Sequence, residues 1–140
     1  MTPRQLIVLA EDTLAIREMT AQALTDAGYD VVCSSAGAQA FELLRHLQPD
    51  LVVLDLHLFG QDTGLGVLRQ MRARRDTAHI PAIVYSADAI RLEEVAGDIA
   101  GYGGGALAKP FEIDALLAAV HEQLRAGGEE RARTYGERRP

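Results

Sequence analysis

The chain has 140 residues, 48% hydrophobic and 24% charged, with a net charge of −6 and a single cysteine. That length suits one domain around one core and is short for two. The acidic balance argues against a nucleic-acid surface, which draws on clustered Lys and Arg, and no run approaches the roughly 18 apolar residues of a membrane helix.

The N-terminus, MTPRQLIVLAED, turns acidic after a short apolar run and has no signal-peptide pattern, so a cytoplasmic protein is expected. LIVLA at 6–10 is a continuous apolar run, as in a strand buried on both faces. EDT follows, and then LAIREMTAQALTDAG sets Ile16, Met19, Ala23 and Ala27 at helical spacing, with Gly28 as the C-cap. DVVCSS at 30–35 is a second strand, in which Cys33 reads as a small hydrophobe. AQAFELLRHLQ puts Ala40, Leu44 and Leu47 on one helical face and is stopped by Pro49.

LVVLD at 51–55 is the third strand and the most apolar, yet it closes on a carboxylate. HLFGQDTG is loop by composition, and GVLRQMRARR continues as a helix on Leu65, Leu68 and Met71. Its cations Arg72, Arg74 and Arg75 suit a helix C-terminus. IPAIVYS at 80–86 is a fourth strand with Pro81 near its start. DAIRLEEVAGDIA is a helix on Leu92, Val95 and Ile99 that runs into GYGGG. ALA at 106–108 is the fifth strand, KPF a turn, and EIDALLAAVHEQLRA a last helix with Ile113, Leu116, Leu117, Val120 and Leu124 inward. From residue 127 glycine and charge prevail, so a domain over 1–126 and a disordered tail over 127–140 are expected.

Strand and helix thus alternate five times, which predicts an α/β fold: a doubly wound parallel sheet with right-handed crossovers and helices on both faces. Ligands of such sheets gather outside the carboxyl ends of the strands. Those ends deliver Glu11 and Asp12, Asp55, Ser86, and Lys109 followed by Pro110. Taken singly, each has a bland reading: Asp12 as cap of the first helix, Ser86 of the fourth, Lys109 as a solvated cation. Together they make a crevice of three carboxylates, a hydroxyl and an amine. Clustered carboxylates call for a small hard dication with oxygen ligands, which points to Mg²⁺. Metal, ammonium and hydroxyl would then hold phosphoryl oxygens while a carboxylate attacks phosphorus, with Asp55 as the nucleophile.

EDT at 11–13, LVVLDL at 51–56, VYSA at 84–87 and AKPF at 108–111 resemble the signature positions of the response-regulator receiver domain of two-component signalling. The resemblance covers roughly residues 5 to 125. It implies a flavodoxin-like strand order 2-1-3-4-5 and Mg²⁺ on Glu11, Asp12, Asp55 and the backbone carbonyl of His57. It also implies Asp55 as phosphoacceptor, Ser86 and Lys109 beside the phosphoryl group, and a cis peptide at Pro110. Three features depart from the family's pattern. Phe59 stands at the usual proline, in a loop with one extra residue before Gly64. GYGGG carries an inserted residue ahead of the fifth strand. Ala106 replaces the aromatic that turns inward when the Ser/Thr moves, unless Tyr102 substitutes from another place.

A dehalogenase-type Mg²⁺-dependent phosphatase would need a second Asp two residues after the nucleophile, where His57 stands. A flavodoxin-type FMN binder would need a phosphate cradle where EDT would repel it. A pseudo-receiver that binds partners without phosphorylation is the remaining alternative. The resemblance implies a histidine kinase or histidine phosphotransfer protein as donor and a monomer or weak dimer. No output domain is evident after the receiver, so exit of the signal by contact with an unnamed protein target is expected. His46, His79 and His121 read as surface residues, and His57 as a group that can modulate water access to the phosphoryl.

Overall fold

The apolar runs bounded by polar turns form one sheet in the computed structural model, which describes residues 3–58, 63–109 and 111–137, with side chains as far as 127. The strands are β1 (Leu6–Ala10), β2 (Asp30–Ser34), β3 (Leu51–Asp55), β4 (Ala82–Ser86) and β5 (Gly105–Ala108). All pair in parallel, in the order β2-β1-β3-β4-β5. Helices α1 (Leu14–Asp26), α2 (Gly37–Leu47), α3 (Thr63–Ala73) and α4 (Ala89–Gly101) make the crossovers, and α5 (Ile113–Glu137) follows the last strand. The doubly wound, flavodoxin-like architecture is therefore as expected.

Side chains alternate across a strand, and here the alternation sorts the core into two layers. Val8, Ala10, Val52, Leu54 and Val84 pack with residues of α2, α3 and α4. Ile7, Leu9, Val53, Ile83 and Tyr85 pack with residues of α1 and α5. Strands β3 and β4 are buried along their whole length because both faces are covered. The turn after β3 is equally tight. Gly64 donates its amide to the Leu56 carbonyl (3.2 Å), and a methyl group on it would overlap the carbonyl oxygen of Asp55. Glycine is required there by close backbone approach.

Several local expectations need correction. Helix α1 buries Thr20, Ala23 and Leu24, while Met19 is 55% exposed, because Leu24 rather than Met19 is the large side chain facing the sheet. Its C-cap is Ala27, with Gly28 following at φ +103°. Leu47 is exposed in the last turn of α2, where Gln48 turns left-handed (φ 48°) and leads the chain away. Ile113 opens α5 before the helix reaches the sheet and is exposed, whereas Leu116 and Val120 are buried. Cys33 is exposed on the edge strand. Helix α5 runs on through Gly127 and Gly128 to Glu137, since two glycines weaken a helix without stopping it.

Arg72 is more than a charge at a helix end. Its guanidinium donates to the carbonyls of Tyr102 (2.6 Å), Ala78 (3.0 Å) and Ile80 (2.7 Å), joining α3 to the end of α4 and the entry to β4.

Candidate functional site

Strand alternation decides which chemical groups meet. Glu11, Asp55, Tyr85 and Lys109 continue the pattern of Leu9, Val53, Ile83 and Leu107, so all four fall on the α1/α5 face at the carboxyl edge of the sheet. Registry agrees, because Asp55 lies opposite Tyr85 and Tyr85 opposite Leu107. Carboxylate oxygens of Glu11, Asp12 and Asp55 lie within 4.8 Å of one another.

Lys109 Nζ donates to Glu11 Oε1 at 2.7 Å and stands 3.4 Å from Asp55 Oδ2. Its side chain is only 9% exposed, so the solvated reading of Lys109 is ruled out. The bland readings of Asp12 and Ser86 fail as well: the N-caps of α1 and α4 are Thr13 and Asp88. Asp55 Oδ1 accepts the His57 amide at 3.1 Å, which fixes the carboxylate plane. Glu11 is fully buried. Its Oε2 accepts the Thr13 amide at 3.3 Å, and its Oε1 accepts the Tyr85 hydroxyl at 2.7 Å as well as Lys109.

Three acids against one ammonium leave excess negative charge, and at the spacing seen two ionised carboxylates repel by about 3 kcal/mol at an effective dielectric near 20. The titration of the site reflects this. Burial, and then the hydrogen-bonded Glu11 carboxylate, push Asp55 up to about 6 against the His57 amide and Lys109. Burial acts to raise Glu11 too, but hydrogen bonds from Asp55, Lys109 and Tyr85 outweigh it and leave Glu11 below its ordinary value.

A folded-state pKa raised above the unfolded value of about 4 contributes stability below pH 4 and loses it as pH rises through about 6. In metal-free solution, Asp55→Asn should thus gain stability over the parent as pH rises from 4 to 7, by about 1–3 kcal/mol. Urea unfolding in EDTA across that range checks it, and a pH-independent difference would contradict it.

Ser86 lies on the opposite parity. It is buried, its Oγ accepts the Asp88 amide at 3.0 Å, and its carbonyl accepts the Lys109 amide at 2.8 Å. The carboxyl edges of β4 and β5 are tied together at this point. His57 Nε2 approaches Asp88 Oδ2 at 3.3 Å, which links the loops after β3 and β4. His46, His79 and His121 are exposed, as expected. Ala106 is exposed in β5, and the partly buried Tyr102 packs on the α2–α4 side of the core. Pro110 and Phe59 lie outside the described residues.

Tyr85 was not singled out by the sequence, where Ser86, the last residue of its strand, stood for β4. Its signal was parity, because the residue of β4 that faces Asp55 is the one before Ser86.

Residues 7–121 match the sequence model of the response regulator receiver domain. Among curated proteins the chain is 37% identical over 126 residues to the DNA-binding dual master transcriptional regulator RpaA of Synechocystis sp., a match covering 88% of this chain and 49% of RpaA. It is 34% identical over 131 residues to the DNA-binding response regulator MtrA of Mycobacterium tuberculosis, covering 94% of this chain and 55% of MtrA. The chain thus spans about half the length of these relatives. Among solved structures it is similar to the receiver domain of the sensor histidine kinase PA1611 from Pseudomonas aeruginosa, with a TM-score of 0.76 and 26% identity over 87% of this chain and 98% of that one. In that structure a magnesium ion is coordinated in the active site cleft.

Proposed function

The chain belongs to the response regulator receiver domain family of two-component signalling, and from that premise we propose that it is a phosphorylation-dependent switch with Asp55 as the acceptor. One observation carries the reading: a buried carboxylate set between two more carboxylates and a buried lysine, at the carboxyl edge of a parallel sheet. The all-oxygen donor set, its excess negative charge and the raised Asp55 pKa fit Mg²⁺. Glu11, Asp12, Asp55 and the His57 carbonyl would hold the ion, which when bound supplies positive charge to phosphoryl oxygens.

The chain's own groups do the rest. The His57 amide presents Asp55 edge-on, leaving Oδ2 toward Lys109. As that carboxylate bonds to phosphorus, the bond from phosphorus to the donor's imidazole nitrogen breaks, and the imidazole leaves with the electron pair. Lys109 and the Ser86 hydroxyl receive the new charge on the transferred group. A histidine kinase or histidine phosphotransfer protein is the donor this chemistry implies. We assign the receiver to residues 1–126, in the cytoplasm, and 127–140 to an appendage. Among the described residues no helix is long and apolar enough to cross a membrane. With a net charge of −6, contact with another protein rather than with nucleic acid suits this receiver's output.

A phosphoryl group can shift a conformational equilibrium only through contacts that differ between states. Ser86, hydrogen-bonded to the first residues before α4 and to Lys109, is placed to pass the change to residues 88–106. With Ala106 in the aromatic's place and Pro110 after the lysine, the segment itself, not one inward-turning ring, is the moving part. Acetyl phosphate and Mg²⁺ should load one phosphoryl group per chain and alter amide protection in 88–106. No uptake refutes the switch, and changes confined to 55–64 place the output elsewhere.

A further inference from the structure

The phenol of Tyr85 has a place in this site that its burial alone does not explain. Tyr85 is fully buried in β4, its ring 5.8 Å from that of Phe111 at a tilt of 39°, with Lys109 Nζ 4.2 Å above its ring. A phenylalanine would fill the same space without bringing a hydroxyl into an apolar layer, where an unpaired polar group is costly. This hydroxyl is paired, and with an oxygen that already has a donor: Glu11 Oε1 accepts both Tyr85 Oη and Lys109 Nζ, each at 2.7 Å. In this contact the neutral phenol is the donor and the carboxylate oxygen the acceptor.

Lys109 is meanwhile held nearer to Glu11 than to Asp55, at 2.7 Å against 3.4 Å. To neutralise a phosphoryl group on Asp55 it must move off Glu11, and a buried carboxylate oxygen that loses its donor bears a large desolvation penalty. We propose that Tyr85 is a positioning residue that releases Lys109: its hydroxyl stays on Glu11 Oε1 when the ammonium shifts to the group on Asp55. The phenol thereby lowers the cost of the loaded state while leaving the metal ligands in place. This inference rests on the phosphoryl-switch reading above.

Tyr85→Phe tests it, since the ring and its contacts with Lys109 and Phe111 remain. Beryllofluoride affinity at saturating Mg²⁺, followed by fluorine NMR, should fall about tenfold or more, the effect of one hydrogen bond to a charged group. Mg²⁺ affinity without beryllium, from titration calorimetry, should fall by much less, because in that state Lys109 still donates to Glu11 Oε1. A purely structural role would lower the melting temperature without this split. Unchanged beryllofluoride affinity, or an equal loss of Mg²⁺ affinity, overturns the proposal. A parent protein that takes up no beryllofluoride refutes the underlying switch reading instead. Should Tyr85→Phe not melt cooperatively, 3-fluorotyrosine at position 85, a stronger donor of nearly the same shape, should tighten beryllofluoride binding. Unchanged binding in that protein overturns the proposal equally.

Discussion

Asp55→Asn is expected to acquire no phosphoryl group from acetyl phosphate under conditions that load the parent chain fully. The expectation follows from what the substitution removes and what it leaves. A carboxamide oxygen is a far weaker nucleophile toward phosphorus than a carboxylate. The fold around it loses little, because the His57 amide can still donate to the side-chain oxygen and a neutral group relieves the repulsion from Glu11. The variant should therefore melt at or above the parent's temperature while remaining unlabelled. Intact-mass measurement after incubation reads both the presence and the stoichiometry of the label. An Asp55→Asn chain that still gains one phosphoryl group would remove Asp55 from its role.

Asp12→Ala should abolish most of the Mg²⁺ affinity. Asp12 is only partly buried at the mouth of the site, and one of its oxygens lies within 4.8 Å of oxygens of Glu11 and Asp55, close enough to share one ion. Removing it deletes a hard oxygen ligand and one of the charges that attract the dication. Even groups that only orient a ligand cost about 10- to 100-fold in metal affinity when lost, so loss of a ligand itself should cost at least that. The metal-free fold should not suffer, since one carboxylate fewer faces Asp55 and Glu11. Calorimetric titration of Mg²⁺ is the measurement, and an affinity unchanged within error would mean that the cation sits elsewhere.

The parts of this account that were legible in the sequence are those that depend on composition along a strand. LIVLA, LVVLD and AIVYS have no polar interruption until their last residue, so their ends, and the acids and hydroxyl at those ends, could be placed without coordinates. What eluded the sequence were facts of orientation. Tyr85 stands inside an apolar run and drew no role from the sequence; registry with Asp55 and the hydrogen bond to Glu11 give it one. Met19, Leu47 and Ile113 sit at helical spacing with buried neighbours and are nonetheless exposed. Spacing fixes which residues share a face, whereas the sheet's twist and the helix ends fix how far that face extends. The reach of α5 through Gly127 and Gly128 was also not legible, because glycine is only a weak helix breaker.

The central claim, that a phosphoryl group is carried on Asp55, is tested most directly by locating it. An acyl phosphate is reduced by borohydride to an alcohol, which marks the acceptor residue permanently. After loading with acetyl phosphate and Mg²⁺, borohydride treatment and peptide mapping should find homoserine at position 55, in the peptide containing LVVLDLHL, and at no other acidic position. Reduction at Glu11 or Asp12 instead, or a phosphate found on a histidine with residue 55 unchanged, would contradict it.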